Sequence, residues 1–270
     1  MAAIVVLGSL VGCSGRTSED SVEISRYVAI GDSFVSGPLI APVDPTVPAC
    51  GRSERNYPRL VAKSLDGSTL VDVSCPGSTT NDVRVGGKKG AAQLAAVSPK
   101  TQLVTVGIGE NDFGLSTGWF NHCLLATRSE VNCSELVSKF APSLLARARE
   151  NVTAVLTEAK RRAPKAKVLL VGYLRLTPDE GSCDALPISE ANRAASESLE
   201  EDISVMQRAA AKDAKVQFVD VRPLSKGHDV CAGDKAWVNG LTSGDGLFLH
   251  PNSAGMKAVA DEVLRVIRDE

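Results

Sequence analysis

The chain has 270 residues, of which 43% are hydrophobic, and its formal net charge at pH 7 is −2. A chain of this length and composition can bury one substantial core, and nothing in its charge indicates a nucleic-acid partner. No apolar run reaches the ~18 residues that a membrane-spanning helix requires.

The first 25 residues have the pattern of a segment outside the fold. Residues 1–11 are apolar and small, and residues 10–13 (LVGC), followed by polar residues, are similar to a bacterial lipobox. In a lipobox the cysteine becomes the lipidated first residue of the mature protein. Since targeting segments are not part of the fold, we predict a signal and tether over 1–25, lipidation at Cys13 and one domain over 26–270. The alternative is a frayed terminus with a stray cysteine.

A serine lies just beyond the carboxyl end of the first predicted strand. Residues 27–30 (YVAI) form a short apolar run with the length and β-branched content of a buried strand, and Gly31, Asp32 and Ser33 follow it. Ligands of open α/β sheets bind at the carboxyl ends of the strands, which makes Ser33 a candidate catalytic residue. Alternatively, Asp32 and Ser33 only cap the turn after the strand.

Strands and helices alternate along the rest of the chain. Apolar runs predict strands at 27–30, 69–73, 102–106, 167–172 and 216–220, and helical spacing predicts helices at 57–65, 136–162, 189–214 and 253–268. Such alternation is typical of a parallel sheet with helices on both faces. The predicted fold class is therefore α/β, a three-layer α/β/α domain around a central parallel sheet of about five strands.

Three further polar sites lie just beyond a predicted strand or just before a helix. Gly77 follows the second strand, Asn111 follows the third, and His250 precedes the last helix. A parallel sheet would gather these residues and Ser33 at one edge.

The cysteines indicate an oxidising compartment. Setting Cys13 aside leaves six, an even number without CxxC spacing, so we expect disulfides and no metal site. Six cysteines allow 15 pairings. The sequential pairing closes the shortest loops, and we select Cys50–Cys75, Cys123–Cys133 and Cys183–Cys231; reduced, buried cysteines are the alternative.

Four segments in order resemble the conserved blocks of the SGNH (GDSL-type) hydrolases. They are residues 31–34 (GDSF), Gly77, residues 109–112 (GEND, for the GxND block) and His250 with Pro251. The resemblance extends from about residue 26 to 268, and the cysteine pairs resemble those of extracellular bacterial lipases, esterases and phospholipases of the family. It implies the flavodoxin-like SGNH hydrolase fold and an extracytoplasmic enzyme.

The resemblance also implies the role of each site residue. Ser33 would be the nucleophile and His250 its base, and the oxyanion hole would be formed by the N–H groups of Ser33 and Gly77 and the side chain of Asn111. We expect a serine ester hydrolase, a lipase, esterase or phospholipase, that acts on small-molecule or lipid esters through an acyl-enzyme. We also expect a monomer without cofactor that contacts membranes only through an anchor at Cys13. The alternatives are a carbohydrate O-deacetylase and a non-catalytic lipid- or glycan-binding lipoprotein.

The last block departs from the family pattern. It usually reads DxxH, but Leu247 occupies the position of the aspartate, and Asp245 is the nearest upstream acid. Either Asp245 reaches His250, or a backbone carbonyl of Leu247 or Phe248 orients the imidazole. We favour a Ser-His dyad with a carbonyl acceptor, which fixes the tautomer but stabilises imidazolium less than a carboxylate does.

Overall fold

The computed structural model of the chain describes residues 24–125, 132–242 and 244–269. Cys13 and residues 1–23 of the predicted leader lie outside the described residues. The predictions of a signal segment and of lipidation therefore stay predictions.

Five parallel strands form the central sheet, as predicted. The strands along the chain are β1 (Arg26–Gly31), β2 (Thr69–Asp72), β3 (Gly86–Gly87), β4 (Gly90–Ala91), β5 (Leu103–Gly107), β6 (Lys167–Val171) and β7 (Gln217–Val219). The sheet has the order β2-β1-β5-β6-β7, and β3 pairs only with β4 in a small antiparallel hairpin. Residues 27–30 of the inner strand β1 are fully buried, as expected for a strand covered on both faces.

The helices cover the sheet, and the four that were predicted agree with the structure to within two residues except at the start of one of them. The helices along the chain are α1 (Ser33–Ser36), α2 (Tyr57–Lys63), α3 (Thr80–Arg84), α4 (Leu115–Trp119), α5 (Cys133–Glu135), α6 (Ala141–Arg162), α7 (Glu190–Ala214) and α8 (Ser253–Arg268). Helix α6 was expected from residue 136. It begins at 141 because Leu136–Phe140 form a wider π-helical turn and Pro142, which lacks an N–H, lies in the first turn of the α-helix.

The helices pack against one another in two groups. Helix α6 packs against α3 and α7, and α2 packs against α8. The last of these contacts includes a hydrogen bond from the Tyr57 N–H to Sδ of Met256, at 3.4 Å. No helix in the described ranges is long and apolar enough to cross a membrane.

Close packing at the end of β1 directs the chain into the site. A Cβ on Gly31 would lie 2.2 Å from Cγ2 of Val35 and 2.6 Å from the carbonyl oxygen of Gly107. Only glycine lets α1 turn back this tightly against the strand that it follows. Ser33 is thereby held at the carboxyl edge of the sheet.

Three disulfides connect the long loops of the carboxyl edge. They are Cys50–Cys75, Cys123–Cys133 and Cys183–Cys231, the pairs selected from the sequence. The Cys50–Cys75 bond joins the long loop between α1 and α2 to the turn that carries Gly77, so it constrains the loops around the site.

Candidate active site

Ser33 is the first residue of α1, and Asp32 caps this helix. Oδ1 of Asp32 accepts the N–H of Phe34 at 2.9 Å, and Oδ2 accepts the hydroxyl of Tyr173 at 2.7 Å. Burial raises the pKa of Asp32 to about 7, although the hydrogen bond from Tyr173 opposes the rise. Asp32 therefore holds the loop that carries Ser33 in place by hydrogen bonds.

Gly77 lies in the turn after β2 and has a positive φ of 67°. A side chain would be strained there, because L-residues rarely adopt this φ. The N–H groups of Gly77 and Ser33 donate to no other group in the part of the chain that the structure describes. Both amides are therefore available as donors to a ligand.

A buried glutamine connects this turn to β1. Oε1 of Gln93 accepts the N–H of Gly31 at 2.8 Å, and its Nε2 donates to the carbonyl of Gly31 and to Oγ of Ser78, both at 3.0 Å. The sequence analysis missed this residue because it assigned no element to the segment around it. No local pattern marks a glutamine that bridges two distant loops.

Asn111 follows β5, and its side-chain amide is oriented by two neighbours. Its Oδ1 accepts the hydroxyl of Ser116 at 2.6 Å, and its Nδ2 donates to the carbonyl of Ser78 at 3.2 Å. One N–H of this amide remains, because the NH2 group carries two. The adjacent Asp112 accepts the N–H of Thr80 at 2.8 Å, which connects this loop to the start of α3.

His250 is oriented by a backbone carbonyl. Its Nδ1 lies 2.8 Å from the carbonyl oxygen of Phe248. A carbonyl only accepts, so Nδ1 carries the hydrogen and Nε2 of the neutral ring carries the lone pair. Burial lowers the pKa of His250, and the hydrogen bond to Phe248 partly opposes this effect. The neutral, proton-accepting form is thus favoured.

The other two candidate acceptors for the imidazole of His250, the Asp245 side chain and the Leu247 carbonyl, bind other groups. Oδ2 of Asp245 accepts the N–H of Ser253 at 2.8 Å, at the start of α8. The carbonyl oxygens of Asp245 and Leu247 accept the side-chain amide of Asn239 at 2.9 and 3.0 Å, and the Asn239 N–H donates to the carbonyl of His250 at 2.9 Å. Asn239, which the sequence analysis also missed, thus fixes the loop that carries His250 through both its side chain and its backbone N–H.

The four candidate residues line one cleft of about 210 Å³, whose walls include Ser33, Gly77, Asn111 and His250. The Phe34 ring, next to Ser33 in the chain, lies 5.9 Å from the imidazole of His250 between ring centres. A serine hydroxyl, an imidazole and amide donors around one cleft are groups that can carry out acyl transfer. Within the described ranges, no group of three or more His, Cys, Asp or Glu side chains is arranged to hold a metal ion.

Comparison with known proteins identifies the family. The model of the GDSL-like lipase/acylhydrolase family matches residues 29–258, which include the whole cleft. The chain belongs to this family.

The relatives of this GDSL-like chain are hydrolases. A lipase of Streptomyces rimosus is 32% identical over 247 residues, which cover 92% of this chain and 88% of the relative. Lipase 2 of Streptomyces coelicolor is 32% identical over 252 residues, covering 89% and 85%. These likenesses identify the chain as a carboxylic ester hydrolase of the serine type.

Solved structures confirm the GDSL-type fold. The phospholipase A1 of Streptomyces albidoflavus superimposes with a TM-score of 0.79 at 27% identity, covering 90% of this chain and 99% of that one. The extracellular lipase of Streptomyces rimosus superimposes with a TM-score of 0.74 at 30% identity, covering 89% and 99%.

Proposed function

We propose that this GDSL-like hydrolase cleaves acyl esters through an acyl-enzyme on Ser33, with His250 as the base. The observation that carries the proposal is the shared cleft, together with the hydrogen bond that leaves Nε2 of His250 as the proton acceptor. Nε2 takes the proton of the Ser33 hydroxyl as Oγ attacks the ester carbonyl. The proton then passes to the leaving alcohol as its C–O bond breaks, and water releases the acid by the same two steps.

Three donors stabilise the oxyanion of each tetrahedral intermediate in this proposal. They are the N–H groups of Ser33 and Gly77, which have no other partner in the described chain, and the remaining N–H of Asn111. A donor already fixed in place costs no reorganisation during the reaction. Each is worth ~3 kcal/mol of transition-state stabilisation.

The carbonyl of Phe248 takes the place of the usual triad carboxylate. It fixes the tautomer of His250, but a neutral acceptor stabilises the imidazolium of the transition state less than an aspartate does. Because burial lowers the pKa of His250, the base remains neutral under mildly acidic conditions. We therefore propose a Ser-His dyad.

The proposed substrates are lipid acyl esters, phospholipids included. Support comes from the relatives, which are named lipases, and from a solved neighbour that is a phospholipase A1. The three disulfides favour an extracytoplasmic enzyme. We further propose a monomer anchored through lipid on Cys13.

Covalent labelling tests the catalytic assignment. A fluorophosphonate probe should label the wild-type protein at Ser33, and Ser33→Ala should lose both the label and the hydrolysis of p-nitrophenyl butyrate. Ser36→Ala is the matched control, since Ser36 lies in the same short helix and should leave labelling intact. Labelling and turnover that survive in Ser33→Ala would disprove the assignment. Rates on phosphatidylcholine, triacylglycerol and an acetylated sugar would then rank the substrate classes.

A further inference from the structure

Two large apolar side chains are exposed at the border of the catalytic cleft. Leu39 lies in the loop between α1 and α2 and is 57% exposed, and Phe248 lies in the loop before α8 and is 38% exposed. A hydrogen bond joins the two loops, because the Leu247 N–H donates to the carbonyl of Pro38 at 3.0 Å. Leu247 also lines the cleft together with His250. The two apolar side chains therefore belong to one border of the cleft.

The exposed leucine also has a strained backbone. Its φ of 65° lies in the left-handed region, which bulky apolar residues rarely adopt. Hydrogen bonds hold this conformation, since the Leu39 N–H donates to the carbonyl of Gly51 at 3.0 Å and the Ile40 N–H to that of Gly37 at 3.3 Å. A single exposed apolar side chain is ordinary, but one that a strained loop holds beside a cleft indicates a binding role.

A basic segment contains the small hairpin of β3 and β4. Residues 82–91 hold three cations, Arg84, Lys88 and Lys89, and one acid, Asp82, although the net charge of the whole chain is −2. The two lysines form the turn of the hairpin and are exposed. Val85, just before the hairpin, is 73% exposed. This segment therefore presents both positive charge and apolar surface to solvent.

The second lysine of the hairpin lies against the cleft. Nζ of Lys89 donates to the carbonyl of Pro76, and it lies 2.7 Å from the position that a Cβ on Gly77 would take. Pro76 and Gly77 both line the cleft. The positive charge of the hairpin is therefore placed beside one of the proposed oxyanion donors.

The Cys50–Cys75 disulfide connects the basic side of the cleft to the apolar side. Cys75 precedes Pro76, which contacts the hairpin, and Cys50 precedes Gly51, which accepts the N–H of Leu39. The two sides are thus parts of one continuous surface around the cleft. We call this surface the cleft rim; its exposed members are Leu39, Arg84, Val85, Lys88, Lys89 and Phe248.

We propose that the cleft rim docks on an anionic lipid surface. Leu39 and Phe248 enter the boundary of the acyl chains, and Lys88 and Lys89 lie against the charged headgroups. Peripheral proteins bind lipid surfaces through buried apolar area and through cations that attract anionic lipids, and the rim offers both. Docking in this way turns the mouth of the cleft toward the lipid. The inference rests on the proposed function, since it brings lipid esters to the same cleft.

Sedimentation with vesicles tests the docking without turnover. The full chain carries Cys13→Ser, which excludes a lipid anchor, and the vesicles are diether phosphatidylcholine with or without about one third diether phosphatidylglycerol. Diether lipids have no ester to cleave. We expect at least ~10-fold stronger binding to the vesicles with phosphatidylglycerol at low salt, and loss of this preference at high salt.

The contrary results separate the docking from the proposed function. A rim that instead binds a protein or a second copy of this chain would give no binding to either vesicle, and this result would overturn the inference. Equal binding to both vesicles would also overturn it, because the lysines would then have no role. Hydrolysis of p-nitrophenyl butyrate by the same preparation would leave the proposed function standing in both cases, and its absence would count against the proposed function alone.

Two pairs of lysines locate the charged part of the contact. Lys88→Gln combined with Lys89→Gln should weaken binding to the anionic vesicles by ~10- to 30-fold, because each lysine near such a surface is worth about fivefold in affinity. Lys100→Gln combined with Lys165→Gln is the matched control. These exposed lysines precede β5 and β6, at the opposite edge of the sheet, and the control should bind as the parent protein does. Equal losses in the two double variants would overturn the assignment to the rim.

Leu39→Asn tests the apolar part of the contact. Asparagine tolerates a positive φ better than leucine, so the substitution removes apolar surface without adding backbone strain. We expect binding to the anionic vesicles to weaken by ~10-fold or more, because a leucine side chain is no longer buried in the lipid. Val205→Asn is the matched control, since Val205 is 51% exposed on α7. Unchanged binding in Leu39→Asn at an unchanged melting temperature, or an equal loss in Val205→Asn, would overturn the role of Leu39.

Discussion

Replacing Asp245 with asparagine tests whether His250 works without a carboxylate. The Asp245 carboxylate accepts the N–H of Ser253 at the start of α8, and Nδ1 of His250 lies against the carbonyl of Phe248. An asparagine oxygen can accept the same N–H, so the substitution removes only a negative charge at a helix N-terminus, worth about 0.3–1 kcal/mol of stability. We expect kcat to stay within roughly tenfold of wild type, or ~1.4 kcal/mol of barrier. A triad aspartate would lose ~10,000-fold.

The assay is the initial rate on p-nitrophenyl butyrate over a range of concentrations, with thermal unfolding of the same preparations. Asp261→Asn is the matched control. Asp261 lies on α8, the helix that Asp245 contacts, and it pairs with the exposed Lys257 at 2.6 Å. Asp245→Ala also removes the acceptor for the helix N–H and should lower the free energy of unfolding by ~1 kcal/mol. A loss of kcat of a thousandfold or more in Asp245→Asn, with unchanged melting temperature, would show that the carboxylate reaches His250 and that the dyad is wrong.

Three more predictions follow from the site and the disulfides. Asn111→Ala should lower kcat by ~100- to 1,000-fold with little change in KM. Ser116→Ala keeps the amide donor of Asn111 and should lower kcat much less. Equal losses of kcat in the two variants would contradict the oxyanion role of Asn111. Burial lowers the pKa of His250, and only the neutral ring accepts a proton. In a plot of kcat/KM against pH, the acidic limb should therefore have its midpoint below ~6.5. A midpoint above 7 would contradict the role of a buried His250 as the base. Replacing Cys183 and Cys231 with serine opens a link across 48 residues and should cost about 4 kcal/mol in urea unfolding; a loss under ~1 kcal/mol would contradict the expected constraint.

The elements predicted well from sequence are those whose local pattern and tertiary role agree. The run at 27–30 is apolar throughout because β1 is buried on both faces, and Ser189 caps α7 as its side chain predicts. The start of α6 was wrong, because the apolar spacing from 136 onward continues through a π-helical turn that spacing alone cannot distinguish from an α-helix. The β3–β4 hairpin was missed because its strands have only two residues each.

The sequence predicted that Ser33, Gly77, Asn111 and His250 lie together, and the structure places them around one cleft, but the residues that support them were not predicted. Ser33, Gly77, Asn111 and His250 each adjoin a regular element, so the topology of a parallel sheet suffices to expect them at one edge. The sequence analysis favoured a carbonyl acceptor for His250 but did not choose between Leu247 and Phe248, since every residue has a carbonyl and its direction depends on the folded loop. Asn239 orients that loop through hydrogen bonds that no spacing rule describes.

The packing of α8 against α2 has a consequence for the order of events during synthesis. Only two residues separate His250 from α8, so it reaches its place when this helix docks on α2, whereas Ser33 follows the first strand of the sheet. A nascent chain that has already formed its early elements thus carries the proposed nucleophile without the proposed base. We expect hydrolysis to begin only after the C-terminal helix has joined the domain, so a partly translated chain does not attack the esters of the cell that makes it.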